Sequence, residues 1–468
     1  MRRIAFIAFL AGLLFVIGRA VGWCWQRSGI VGLQRELIES IDDLNGHYYY
    51  DFQLGPDGNS LLDPDDPKAQ KSWLCRWTSN DWWHDIFYVS FAQFDSYEQE
   101  GGVATNRHDI TTENIESLAE LPHLKWLALN GTGVTDQSLS KLLQSGKLSR
   151  LWLSQSNVTD QGLLNVGRCR ELDTLAIEAT QASDKSLRAI VQLPNLRSLS
   201  LGSPGITAEG MRLLGYARNL EELFADRLPI NLSITTELGK LSKLRSLSLR
   251  FTNLSDDSLV PLQSCQQLEV LRLDGTSLTN KGLETLGKLT QLNELDLNGS
   301  NISNVGLKSL KSCNQLKHLN IANTGCTLTG AVELFHELLG LSIADTLRRV
   351  CTTESDSYGN LVSVDFSNIR LAVEDLVQLQ GLEHLQWLDL HNLSMDDMAA
   401  KVIVSLGLDE LTLLQVDGRN LTHDGLAALV SLPKLRDLHL GVTSVAPQVI
   451  EDAMRSRSYL RIYYLAKE

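Results

Sequence analysis

Cysteine is scarce, with seven in 468 residues, which excludes a disulfide-stapled mini-domain. Proline is scarcer for the length, at ten residues, and no long low-complexity tract occurs; a mostly disordered chain is thereby excluded. Positive charge is in deficit. Forty-two basic residues stand against 56 acidic ones, a formal charge of −14, so the chain lacks the basic surface that a general nucleic-acid binder needs. The sequence has no phosphate-binding glycine loop, no G-x-S-x-G elbow and no H-E-x-x-H. Its ten histidines are scattered, and no Cys/His cluster has zinc-site spacing. We therefore expect no catalytic residues, no cofactor and no metal, since an enzyme would require a clustered acid–base pair in a pocket. What the chain does have is length, enough for a large core and for two to four ordinary domains.

The chain opens Met1-Arg2-Arg3 and continues apolar from Ile4 to Gly18; Arg19 interrupts, and Ala20 to Trp25 is apolar again. A spanning helix needs about 20 residues, and Ile4–Trp25 supplies 22. Arg19 lies near one end, where a long side chain reaches the headgroups, and Trp23 and Trp25 suit an interfacial belt. Residues 1–27 are thus expected to be a transmembrane anchor, the competing reading being a cleaved signal peptide. Arg2 and Arg3 favour a cytoplasmic N-terminus, which puts the bulk of the chain outside the cytoplasmic membrane. Residues 28–85 are expected to form a capping module. Leu33, Leu37, Ile41 and Leu44 are spaced as one helix face, His47 to Phe52 reads as a strand, and Trp73, Trp77, Trp82 and Trp83 are read as packing.

From Leu124 onward the pattern L-x-x-L-x-L-x-x-T/S recurs. Its first positions are Leu124, Leu148, Leu172, Leu196, Leu220, Leu244, Leu268, Leu292 and Leu316, each 24 residues from the last. The L-x-L alternation predicts a short strand with leucines on one face. Apolar residues ten, fifteen and eighteen after the first, such as Leu278, Leu283 and Leu286, predict a helical return leg. One such unit cannot bury its leucines alone, so neighbours must stack. The Thr or Ser at the eighth position (Thr132, Ser156, Thr180, Thr252, Thr276, Ser300, Thr324) is expected to bond the backbone of the adjacent turn. Pairs such as Thr135-Asp136, Thr159-Asp160 and Thr279-Asn280 read as helix starts. The array spans 86–468: regular over 122–337, degenerate over 338–360 and resumed over 361–468. The degenerate part is read as a repeat on Leu338, Leu341, Ile343 and Thr346, or else as a helical insertion around 328–350. Leu460, Tyr463 and Leu465 are read as the last strand. Sixteen candidate strands follow, and at about 4.8 Å apart they would make a surface roughly 70 Å long.

The form L-x-x-L-x-L-x-x-T-x-V/L/I-T/S-D/N-x-G-L, seen from Leu268 to Leu283, resembles bacterial leucine-rich repeat proteins with 24-residue repeats. With the N-terminal anchor, the chain is similar to a membrane-anchored subset of them. The resemblance implies an α/β leucine-rich repeat solenoid: an open curved horseshoe with parallel strands on its concave face. It implies a binding scaffold rather than an enzyme. Cys169, Cys265 and Cys313 each lie three residues before a repeat-opening leucine, and this phase is similar to the cysteine-containing repeats of F-box substrate receptors. No F-box module is recognisable, so the adaptor function this implies, substrate recognition for a ubiquitin-ligase-like complex, stands as the alternative. Buried thiols are expected.

The residues two, four and six after each opening leucine should face outward on the concave side. They are mostly acidic: Glu222, Asp226, Asp274, Glu294, Asp296, Asp365, Asp389, Asp417 and Asp437, interrupted by Arg250, Arg272, His318, His391 and His439. Trp126, Trp152, Phe224 and Trp387 supply aromatics. Such a face is either simply solvated or a groove for a protein or peptide partner. A basic partner would match its charge, and the aromatics would anchor it.

Overall fold

The computed structural model describes residue 34 and residues 47–50, 86–90, 112–366 and 369–466. The apolar segment Ile4–Trp25, the tryptophans Trp73–Trp83 and most of the expected capping module lie outside the described residues. No described helix is long and apolar enough to cross a membrane. The chain divides into two compact units, Met1–Leu223 and Phe224–Glu468.

In the first unit, His47–Tyr50 runs antiparallel to Ile86–Ser90, and the strands that follow are all parallel. Trp126–Ala128, Arg150–Trp152, Thr174–Ala176 and Ser198–Ser200 are each three residues long. Their pairing places Val89, Leu127, Leu151, Leu175 and Leu199 side by side, all of them fully buried. Burial of such a side chain contributes about 1.5–3 kcal/mol relative to exposure, and the 24-residue period delivers it once per strand.

The second unit holds two sheets. In the first, Leu247, Leu271, Leu295 and Leu319 lie in register on adjacent parallel strands. In the second, Val364, Leu388, Leu414, Leu438 and Ile462 do the same. Between them the chain is helical over Leu328–Leu339 and Ile343–Val350, then forms a strand, Thr352–Ser355, antiparallel to Leu361–Asp365. The strand read at Leu338 and Leu341 is therefore absent, and the alternative of a helical insertion describes this stretch. Leu328, Ala331, Leu334 and Phe335 are buried at the three-and-four spacing of a helix face. The last strand is Arg461–Ala466. Its inward residue is Ile462, 7% exposed, whereas Tyr463 and Leu465, read as inward, are 46% and 67% exposed. Counting 24 from Leu435 reaches Tyr459 rather than Leu460, and this one-residue slip exchanges the faces.

The return legs explain the rest of the consensus. Seven of the return-leg helices begin at an Asp or Asn, and its side chain reaches to the next repeat. In the first unit the Asp136 carboxylate accepts from the backbone N–H and the hydroxyl of Thr159 at 2.8 and 2.6 Å. In the second, Asp256 does the same for Thr279 at 2.9 and 2.6 Å, and Asp397 for Thr422 at 2.9 and 2.6 Å. Asn280 and Asn304 accept from Ser303 and Thr327, so the ladder needs an acceptor rather than a charge. The approach is close enough that a Cβ on Gly282 would stand 2.6 Å from the Asp256 Oδ1, which accounts for glycine at that consensus position. The eighth-position hydroxyls do not make this ladder. Thr132, Thr252 and Thr276 donate to carbonyls three residues back in their own turn, at 2.7, 2.8 and 2.6 Å. A hydroxyl on a short stem closes its own tight turn instead of spanning to the neighbour.

Candidate binding surface

Side chains of adjacent strands stand about 4.8 Å apart, so the outward face is a packed layer rather than a set of free groups. In the first unit Trp126 is buried at 8% exposure, with the Arg150 guanidinium 4.2 Å from the centre of its ring. Trp152 is half-buried, and Glu222 is exposed and accepts a hydrogen bond from Ser198 at 2.8 Å.

In the second unit Phe224 is half-buried, and the acidic residues are largely met by arginine or by amides. Asp226 accepts from the Ser248 hydroxyl at 2.6 Å and the Arg250 N–H at 2.9 Å. The Arg250 guanidinium lies 2.7 Å from Asp274, whose 1% exposure corrects the expectation of a solvent-facing carboxylate. The hydrogen bond to Asp274 raises the pKa of Arg250 against the opposing effect of its burial. Arg272 pairs with Glu294 at 2.9 Å. Asp296 accepts from the Asn298 N–H at 2.9 Å and the Asn320 amide at 3.1 Å. Burial raises its pKa, outweighing the Asn298 hydrogen bond, and the Asp274 charge adds to the rise.

The strands of the second sheet are longer. Trp387–Asp396, Leu413–Asn420, Asp437–Thr443 and Arg461–Ala466 have ten, eight, seven and six residues. Their extended ends wall a hollow of about 410 Å³. His391, Gln415, Asp417, Arg419, His439 and Tyr463 line it. Asp417 and Arg419 pair at 3.3 Å, and the rings of His439 and Tyr463 lie 4.5 Å apart. Asp437 pairs with Arg461 at 2.7 Å. Asp389, also expected in solvent, is buried at 6% exposure, beneath His391 at 2.8 Å; Asp365 stands opposite it in register. Trp387 is half-buried beside them on the same strand.

Sequence reasoning thus placed these carboxylates on the right face but missed the cations that neutralise them and the hollow itself. Arg419, at the eighth position after Leu411, falls outside the positions scanned, and Tyr463 was hidden by the slipped phase. The cysteines are core groups. Cys169, Cys265 and Cys313 are buried and free, burial pushes each thiol up to about 11, and Cys265 and Cys313 contact the Leu238 and Leu286 carbonyls of earlier repeats. Packing alone accounts for the Cys-x-x-Leu phase.

Residues 288–311 match the family model described as Leucine Rich repeat. No curated protein matches the chain. Among solved structures, an internalin of Listeria monocytogenes is 19% identical, covers 76% of this chain and 90% of its own, and has a TM-score of 0.39. A leucine-rich repeat protein of Leptospira interrogans is 16% identical over 76% of this chain and 99% of its own, with a TM-score of 0.44. A plant peptide hormone receptor solved in complex with RGF2 is 17% identical over 75% and 61%, with a TM-score of 0.39. One repeat recognised by its family model, and the same leucine period stacked strand by strand within each unit, support a leucine-rich repeat fold for this chain.

Proposed function

We propose that the chain is a non-enzymatic scaffold that binds a protein or peptide on the outward face of its strands, chiefly in the hollow of its last repeats. The hollow carries this reading. It combines volume, half-exposed aromatic surface at Tyr463 and polar groups of both signs, the mixture by which a concave site orients a ligand. The basic partner expected from an acidic stripe has less to meet in the Asp226–Glu294 region, where arginines already answer much of the charge. In the hollow Asp417 faces a single arginine at the rim, so a basic side chain seated there is the best match. The segment Ile4–Trp25 is proposed to hold the chain in a membrane with its bulk outside the cytoplasmic membrane, on the strength of its apolar length.

The test is a photocrosslinking amino acid installed at Gln415 in the hollow or at Val305, which is 71% exposed on a return leg, in the native membrane context. A discrete adduct from position 415 that weakens in high salt and disappears with Tyr463→Ala, and none from 305, is the expected result. Equal capture from both positions would remove the reading.

A further inference from the structure

Asp365 and Asp389 stand directly opposite each other on the parallel strands Leu361–Asp365 and Trp387–Asp396, and His391 follows on the second strand. Among the described residues, these three bring one ligand atom each to within 4.8 Å of the others. Carboxylate oxygens and imidazole nitrogens bind zinc at about 2.0–2.2 Å, so modest side-chain rotations close the group around one ion.

The electrostatics of the place set it apart. Like charges directly opposite on adjacent strands are destabilising. Several carboxylates on this face are paired with an arginine, at Arg250–Asp274, Arg272–Glu294 and Arg461–Asp437. At Asp389, buried at 6% exposure, the partner is the His391 imidazole instead. A second observation is independent of the carboxylates. Among the described residues, the buried Ser363 hydroxyl and the Trp387 indole N–H have no hydrogen-bond partner. Ser363 is 3% exposed and pairs with Trp387 in the register step next to Asp365–Asp389. Two residues along a strand return to the same face, so both open toward the carboxylate pair. Buried polar groups without partners are rare, and two on neighbouring strands beside one cluster mark a place for a hydrated guest.

We propose that Asp365, Asp389 and His391 bind a divalent transition cation, zinc by its ligand preference, with a fourth position left to water. Ser363 and Trp387 supply the hydrogen-bonding groups for that water. The exposed His391 side chain is the entry, and it also lines the hollow. Asp365 comes from one repeat and Asp389 and His391 from the next, which is why no complete zinc motif is visible in one stretch of sequence. The site stands whether or not a protein occupies the hollow.

The test is calorimetric titration of the chelator-treated full chain with zinc chloride. One zinc per chain is expected, with magnesium giving no comparable heat. His391→Ala, a change at an exposed side chain, should weaken zinc affinity at least about tenfold, the loss typical of a removed ligand or its support. Asp389→Asn should do the same in protein whose circular dichroism shows it folded. His439→Ala, in the same hollow but outside the triad, should leave affinity unchanged. Absence of zinc uptake, full affinity in His391→Ala, or an equal loss in His439→Ala would overturn the site.

Discussion

The seventh residue after the opening leucine adopts left-handed backbone geometry in eight of the nine regular repeats from Leu124 to Leu316, Ser203 being the exception. Glycine meets that requirement at Gly131, Gly275 and Gly299, but Gln155, Ala179, Arg227, Phe251 and Asn323 hold the same conformation with φ between 50° and 60°. An L-residue there costs about 1–2 kcal/mol, and glycine gives back about 0.5–1 kcal/mol through its greater freedom when unfolded. Ala179→Gly should therefore stabilise by roughly 0.5–1 kcal/mol, seen as a higher urea midpoint with unchanged slope. Gly275→Ala should destabilise by more than that, because the new Cβ also meets the Phe251 ring. A lower midpoint for Ala179→Gly would show that the neighbouring repeats, and not the local conformation, set the energy of this turn.

The repeated element is a strand, a turn and a short return leg, and its stability leans on the Asp-to-Thr ladder. At Asp397 the hydrogen bonds from the Thr422 hydroxyl and N–H hold the carboxyl below its ordinary value. A lowered folded-state pKa gives stability that is present above the ordinary carboxylate range, near pH 4, and lost as pH falls toward the folded value. Asp397→Asn keeps an acceptor, as Asn280 and Asn304 do naturally, so it should be nearly neutral around pH 7 yet lose less stability on acidification. Asp397→Ala should cost about 1 kcal/mol at neutral pH through the abandoned N–H and hydroxyl donors of Thr422. Urea midpoints measured around pH 7 and pH 3.5 check both, and acid loss equal to wild type in Asp397→Asn would refute the assignment. The element itself was legible, because strand, turn and helix start each recur in phase. The direction of the hydroxyl bonds was not, since a Thr can reach its own turn or the next with the same sequence. Leu338 and Leu341 deceived for a related reason: their spacing satisfies a helix face and a repeat opening alike, and only the buried Phe335 face decides.

At the scale of the whole chain, period and composition revealed the fold class, whereas the surface depended on pairings that no local pattern encodes. Asp274 and Asp389 look like solvent-facing charges in sequence; Asp274 is met by Arg250 a full repeat away and Asp389 by His391 on its own strand. The membrane assignment rests on the apolar run and its flanking residues and has a direct check. Alkaline phosphatase fused after Glu468, which is active only when exported, should be active, and a cytoplasmic reporter at the same place silent; the reverse pattern would retire the anchor orientation. One further feature reaches beyond these tests. Although the strands change sheet after His318–Asn320, the outer seam is continuous: Thr327 bridges to Arg370, and Thr329 donates to Asp375 at 2.6 Å through its hydroxyl. The intervening excursion is thus a detour whose two ends are stapled together. Natural variation or deliberate grafting could lengthen, trim or exchange that segment there, and the beat of the downstream leucines would resume in the same place.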